Sequence, residues 1–167
     1  MSDDALHLAL RRLAGGQPLT ADEAAGALAV VMEGGASEAR IGALLMGLRV
    51  KGETEEELLG CARAMREAAV RIRPRRSPLV DTCGTGGDGA NTLNISTLAA
   101  LVAAAAGVAV AKHGNRSVSS RCGSADVLEA LGVPLLDDPA QVERSVDELG
   151  FGFMFAPHFH PAMRHVA

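Results

Sequence analysis

Residues 81–97 read DTCGTGGDGANTLNIST, with four glycines among the six positions 84–89. Glycine accepts φ > 0 and lets a ligand approach the main chain closely, at a cost in chain entropy. Where such a turn joins a strand to a helix, its exposed N–H groups and the helix dipole form an anion pocket. The spacing is neither a Walker A motif nor a clean GxGxxG fingerprint. A merely flexible turn is the competing reading. Asn94, Ser96 and Thr97 follow at the expected helix start. They can cap that helix. A hydroxyl there can also bond phosphate or ligate a hard cation such as Mg²⁺.

A second polar run, AKHGNRSVSSRCGSAD, occupies residues 111–126. Lys112 and Arg116 bring positive charge, Ser117, Ser119 and Ser120 bring hydroxyls, and Asn115 both donates and accepts. His113 could act as a base or ligand, although a single loop histidine more often packs or hydrogen-bonds. Asp88 suits a ribose hydroxyl or a metal shell better than a phosphate. Cys83 and Cys122 flank the two runs and read as small packing residues. His158, His160 and His165 are unevenly spaced with no carboxylate nearby, a poor pattern for a metal site.

These residues need a scaffold that brings both runs to one edge. Residues 1 to about 70 read as four helices. Ser2 or Asp3 can cap the first, which stops at Gly15-Gly16, and Ser37 can cap the third. Thr20-x-x-Glu23 and Thr54-x-x-Glu57 are capping boxes for the second and fourth. Ile41, Leu44, Leu45 and Leu48 mark a packed face on the third helix. The basic, proline-broken RIRPRRSP reads as a solvated connector. Then come a strand at 78–80, the glycine turn, a helix at about 96–106, a strand at 108–111, a helix at 125–131, a helix from Pro139 to Leu149, a strand at 151–156, and a final helix from Pro161. Strand, turn, helix, strand predicts a parallel βαβ unit. Ligands of such sheets bind beyond the carboxyl ends of the strands, where both polar runs start. The fold class is α/β: a helical domain at 1–72, a partial parallel-sheet domain at 73–156, and a segment at 157–167 expected to return to the helical domain.

Composition narrows the function classes. The chain has 167 residues, a net charge of −4, no Trp, no Tyr and four Phe. That charge gives no general attraction to nucleic acid or to a membrane surface. Cys61, Cys83 and Cys122 are odd in number and lack CxxC spacing, so neither a disulfide framework nor a zinc site is expected. With no apolar leader and no run of membrane-spanning length, the expected location is the cytoplasm.

The two motifs DTCGTGGDGANTLNIST and VAVAKHGNRSVSSRCGSADVLEALGV, in this order, closely resemble the anthranilate phosphoribosyltransferase family. The N-terminal helices and FAPHFHPAMRHVA resemble it too, so the likeness covers the whole chain. It implies a nucleoside phosphorylase/phosphoribosyltransferase-like fold, a homodimer formed through the helical domain, and phosphoribosyl transfer to the amino group of anthranilate with Mg²⁺, in tryptophan biosynthesis. Carried over by motif, Gly84, Gly87, Asp88, Thr92, Asn94, Ile95, Ser96 and Thr97 hold phosphoribosyl pyrophosphate, with Ser96 a Mg²⁺ ligand. Lys112, His113, Gly114, Asn115, Arg116, Ser117, Val118, Ser119, Ser120 and Ser124 complete that site. Gly84, His113 and Asn115 contact anthranilate. No residue is assigned as acid or base, because the acceptor amine is already nucleophilic.

The family's anthranilate-binding arginine, its acidic Mg²⁺-binding pair and its remaining strands have no counterpart within these residues. Met163 stands where some members carry an aromatic side chain. The chain is therefore expected to be the N-terminal portion of a longer enzyme, incomplete for catalysis by itself. The alternatives are an inactive relative serving as a dimerisation or ligand-binding module, and a relative of the pyrimidine nucleoside phosphorylases.

Overall fold

A computed structural model of the protein describes residues 2–84, 93–117 and 122–166. Two compact units divide the chain: residues 1–69 with 160–167, and residues 70–159.

The first unit contains helices α1 (Ser2–Ala14), α2 (Ala21–Met32), α3 (Glu38–Lys51) and α4 (Glu55–Ala68), with a 3-10 turn at Pro161–His165. Both capping boxes form. Thr20 Oγ1 accepts the Glu23 N–H at 3.2 Å while Glu23 accepts the Thr20 N–H at 2.8 Å. Thr54 and Glu57 repeat the exchange at 3.3 and 2.8 Å. Ser37 occupies the N-cap of α3, but its side chain makes no capping hydrogen bond. Leu6, Ala9, Ala27, Val31, Leu44 and Leu48 lie in one apolar core. The expected face of α3 is narrower than its spacing implies: Ile41, Leu44 and Leu48 are buried, whereas Leu45 is exposed.

Two contacts lock α4 to the start of α2. Gly60 has no room for a side chain, because a Cβ would collide with the Ala21 carbonyl and stand 2.9 Å from the Ala24 methyl. Glu57 is 1% exposed, and its carboxylate accepts the Leu19 N–H, the Thr54 N–H and the Lys51 ammonium, each at 2.8 Å. Burial alone would push its pKa up. Lys51 and the two backbone donors outweigh that and hold it below the ordinary glutamate value.

The second unit is a three-stranded parallel sheet in the order β1 (Leu79–Val80), β2 (Ala109–Gly114), β3 (Phe151–Phe155). Helix α5 (Ile95–Ala105) links β1 to β2, and α6 (Ser124–Ala130) and α7 (Pro139–Leu149) link β2 to β3. One small core joins Ala109, Ala111 and Val146, with Ile72 and Met154 against it. Another joins Ala125, Leu128 and Phe153. Central strand β2 is buried over its first four residues, as a parallel strand covered on both faces should be.

Three expectations need correction. Strand β2 continues past Ala111 to Gly114, because its ladder with β3 runs from Val110–Phe151 to Gly114–Phe155. Lys112, His113 and Gly114 are thus strand residues, not loop. The basic connector is no loose linker: Glu143 accepts the Arg73 N–H at 2.6 Å, and Asp147 accepts the Arg75 N–H and Nε at 2.7 and 2.9 Å. These bonds strap it along α7. Finally, the last helix begins earlier and in two parts, as α8 (Ala156–Phe159) and then the 3-10 turn.

Candidate phosphate-binding site

β1 pairs with the start of β2, Val80 opposite Val110, so the segment leaving β1 runs on alongside the later residues of β2. Hydrogen bonds gather the predicted polar residues there. The Thr82 hydroxyl donates to the Ser96 carbonyl at 2.7 Å, tying the loop after β1 to the first turn of α5. Lys112 Nζ lies 3.4 Å from Thr82 Oγ1, and Lys112 is 2% exposed. The Asp81 carboxylate accepts the Cys83 N–H at 2.9 Å and, more weakly, the His113 N–H at 3.4 Å. Asn94 Nδ2 donates to the Cys122 carbonyl at 3.2 Å, drawing the far end of the second polar run to the start of α5.

Burial pushes the Lys112 ammonium below the usual lysine value, and nearby Asp81 opposes that shift. A buried cation whose hydrogen bond among the described residues is a long one to a neutral hydroxyl is well suited to an incoming anion. The N-terminal N–H groups of α5 carry the positive end of its dipole at the same place.

The structure brings together Asn94, Ile95, Ser96, Thr97, Lys112, His113, Gly114, Asn115, Ser117 and Ser124 around these strand ends, with roles that differ from residue to residue. Thr97 is buried and Ile95 exposed. Gly114 is where Ser124 and β3 converge: a Cβ there would clash with Ser124 Oγ and stand 2.8 Å from the Phe153 ring. Ser124 Oγ donates to the Asn115 carbonyl at 3.3 Å. Among the described residues, nothing lies within 4 Å of where a Gly84 Cβ would stand. Gly87, Asp88, Thr92, Val118, Ser119 and Ser120 lie outside the described residues.

Arg116 is engaged by side chains of α6. Its guanidinium makes two bonds to Glu129, at 2.5 and 2.8 Å, and one to Asp126 at 3.3 Å. It also lies over the Phe155 ring, 5.6 Å from the centroid. Two carboxylates therefore neutralise it. Cys83 and Cys122 depart from expectation: both are exposed rather than packed. Sequence reasoning left Asp81, Thr82 and Asp126 out of the site. Asp81 and Thr82 had a signal, since they directly follow a strand that ends at the ligand-binding edge.

A hard divalent cation takes oxygen ligands and often shares them with substrate phosphates. Among the described residues, no three His, Cys, Asp or Glu side chains group as a metal cage. The Ser96 hydroxyl, at the opening of α5, fits a cation carried in by phosphate oxygens, and does not by itself form a protein-made cage.

A helical bundle is followed by a parallel α/β unit with a buried lysine near its strand ends. The helical bundle domain model of a glycosyl transferase family matches residues 8–69, and its a/b domain model matches residues 76–167. The chain belongs to this glycosyl transferase family.

Within it, the chain is similar to anthranilate phosphoribosyltransferases. It is 56% identical over 159 residues to that of Myxococcus xanthus, covering 95% of this chain and 47% of the relative. The crystal structure of the Thermus thermophilus protein matches with a TM-score of 0.88 at 55% identity, over 95% of this chain and 48% of that one. The Saccharomyces cerevisiae protein in complex with PRPP and Mg matches with a TM-score of 0.85 at 27% identity, over 99% and 50%. The chain spans about half the length of the curated relatives it matches.

Proposed function

We propose that the chain supplies the phosphoribosyl pyrophosphate site of an anthranilate phosphoribosyltransferase. The amino nitrogen of anthranilate bonds to C1 of the ribose, the bond from C1 to pyrophosphate breaks, and the amine releases one proton. The products are N-(5-phosphoribosyl)anthranilate and pyrophosphate. The observation that carries this reading is the buried Lys112 ammonium at Thr82, beside the opening of α5.

Negative charge grows on the departing pyrophosphate, so preorganised donors lower the barrier. In this reading Lys112, the α5 N–H groups and the hydroxyls of Ser96 and Ser117 supply them. Asn115 and His113, at the end of β2, and Gly84, after β1, border the proposed acceptor side. Mg²⁺, when bound with the substrate through Ser96, supplies further neutralisation of phosphate charge. The amine needs no protein base.

The partners follow: phosphoribosyl pyrophosphate, anthranilate, and a second copy of the chain meeting the exposed apolar side chains of α3 and α4. No helix among the described residues is long and apolar enough to cross a membrane. The cytoplasm is the proposed location.

The test is loss of anthranilate fluorescence, with Mg²⁺ and phosphoribosyl pyrophosphate, in the complete protein carrying this sequence. Turnover dependent on both supports the reading. A complete, folded protein that binds neither substrate overturns it.

A further inference from the structure

We propose that Asp126 is a positioning residue for the phosphate-binding end of β2, an inference that rests on the transfer reaction proposed above. One oxygen of its carboxylate, Oδ2, accepts the Gly123 N–H at 2.7 Å and the Ser117 N–H at 3.0 Å. The first bond caps α6, which opens at Ser124. The second has no part in capping, since Ser117 belongs to the segment leaving β2. A single carboxylate thus clasps both flanks of the polar run. Its other oxygen, Oδ1, accepts from Arg116, which Glu129 holds in turn.

The neighbouring bonds converge on the same junction. The Asn115 carbonyl accepts the Ala125 N–H at 3.2 Å and the Ser124 hydroxyl at 3.3 Å. Asn115, Ser117 and Ser124 are therefore oriented from the first turn of α6. Two backbone donors and Arg116 hold the Asp126 carboxyl below the usual aspartate range. Removing the carboxylate takes away the acceptor that holds the Gly123 and Ser117 N–H groups and one of the two carboxylates that hold Arg116. The strand end then loses the geometry that aims its donors at phosphate. Misplacement of this kind acts on binding and rate without any contact between Asp126 and substrate.

The experiment uses the complete protein. Asp126→Ala should weaken binding of phosphoribosyl pyrophosphate by about ten- to hundredfold, measured by calorimetry with Mg²⁺, with a smaller rise in KM for anthranilate, since Asn115 on the acceptor side is held from the same turn. Asp126→Asn keeps an acceptor at the same reach and should restore most of that affinity. Unchanged affinity in Asp126→Ala overturns the proposal, and so does an equal loss for both substrates. Hydrogen exchange on the unaltered protein gives a check that does not depend on a variant folding. The Ser117 and Gly123 amides should be protected, and rapid exchange at both overturns the clasp. An unaltered protein that fails to bind phosphoribosyl pyrophosphate takes the transfer reading down, and the positioning role with it. Equal binding by protein and variant removes the positioning role alone.

Discussion

Lys112 Nζ stands 3.4 Å from Thr82 Oγ1 across 30 residues of sequence. That one contact joins the end of β2 to the loop after β1 and places a buried cation where an anion can reach it. Lys112→Met should lower affinity for phosphoribosyl pyrophosphate by about 10- to 100-fold, the range expected for a lost bond to a charged group. Stability should move the other way. Burial depresses the folded pKa, so keeping the lysine charged costs the fold free energy below that pKa, and the cost fades as pH rises toward the unfolded value near about 10.4. The melting temperature of Lys112→Met should therefore match or exceed that of the parent at pH 7, with the gap closing by about pH 10. A variant that melts well below the parent at pH 7 contradicts this account.

Glu57 makes the opposite case. Its folded pKa lies below the ordinary value, so its contribution is present above the unfolded pKa, about 4.3, and is lost as pH falls through the folded one. Glu57→Leu takes the acceptor from the Leu19 and Thr54 N–H groups and the carboxylate from Lys51, which keeps its bond to the Gly52 carbonyl at 2.6 Å, and should cost about 3 kcal/mol at pH 7. Urea unfolding between pH 3 and pH 7 should show the parent losing stability on the acid side, with a flatter profile for the variant.

Helix caps separate cleanly. Thr20→Ala and Thr54→Ala each remove a formed capping bond and should cost about 1 kcal/mol. Ser37→Ala removes none and should change stability by less than about 0.5 kcal/mol. Three equal effects in denaturant titrations would be inconsistent with the observed geometry.

Gly60→Ala pushes a methyl into the Ala21 carbonyl at the contact of α2 with α4. Backbone must shift to admit it, so a loss of about 1–3 kcal/mol is expected. Thermal melts followed by circular dichroism decide the matter, and an unchanged melting temperature would show that the contact yields easily.

Leu45, Met46 and Val50 on α3 and Leu58 and Leu59 on α4 are exposed, Val50 at 79%. A soluble monomer seldom displays so many large apolar side chains on two consecutive helices. Val50→Glu with Leu58→Glu should convert a dimer to a monomer in sedimentation, with helix content retained. Unaltered sedimentation would place any self-association elsewhere.

Much of the architecture was legible in the residues because its rules are short-ranged. A threonine three residues before a glutamate can close a capping box without help from elsewhere, and both boxes formed as expected. Pro139 at a first turn and Gly150 after Leu149 set the limits of α7 for the same local reason. The two polar runs met because a parallel βαβ unit sends neighbouring strand ends to one edge. What the tertiary structure decided was the choice of partner among distant residues. Strand β2 reached Gly114 because β3 lay alongside it, a pairing that β2 could not announce by itself. Ser37 had the composition of a cap without the bond, and Leu45 had the spacing of a core residue without the cover. Arg75 found Asp147 and Glu57 found the Leu19 N–H, 72 and 38 residues away. Arg116 had two candidate anions, a bound phosphate or the carboxylates of α6, and charge alone could not choose between them. The fold sets Glu129 and Asp126 within reach of its guanidinium.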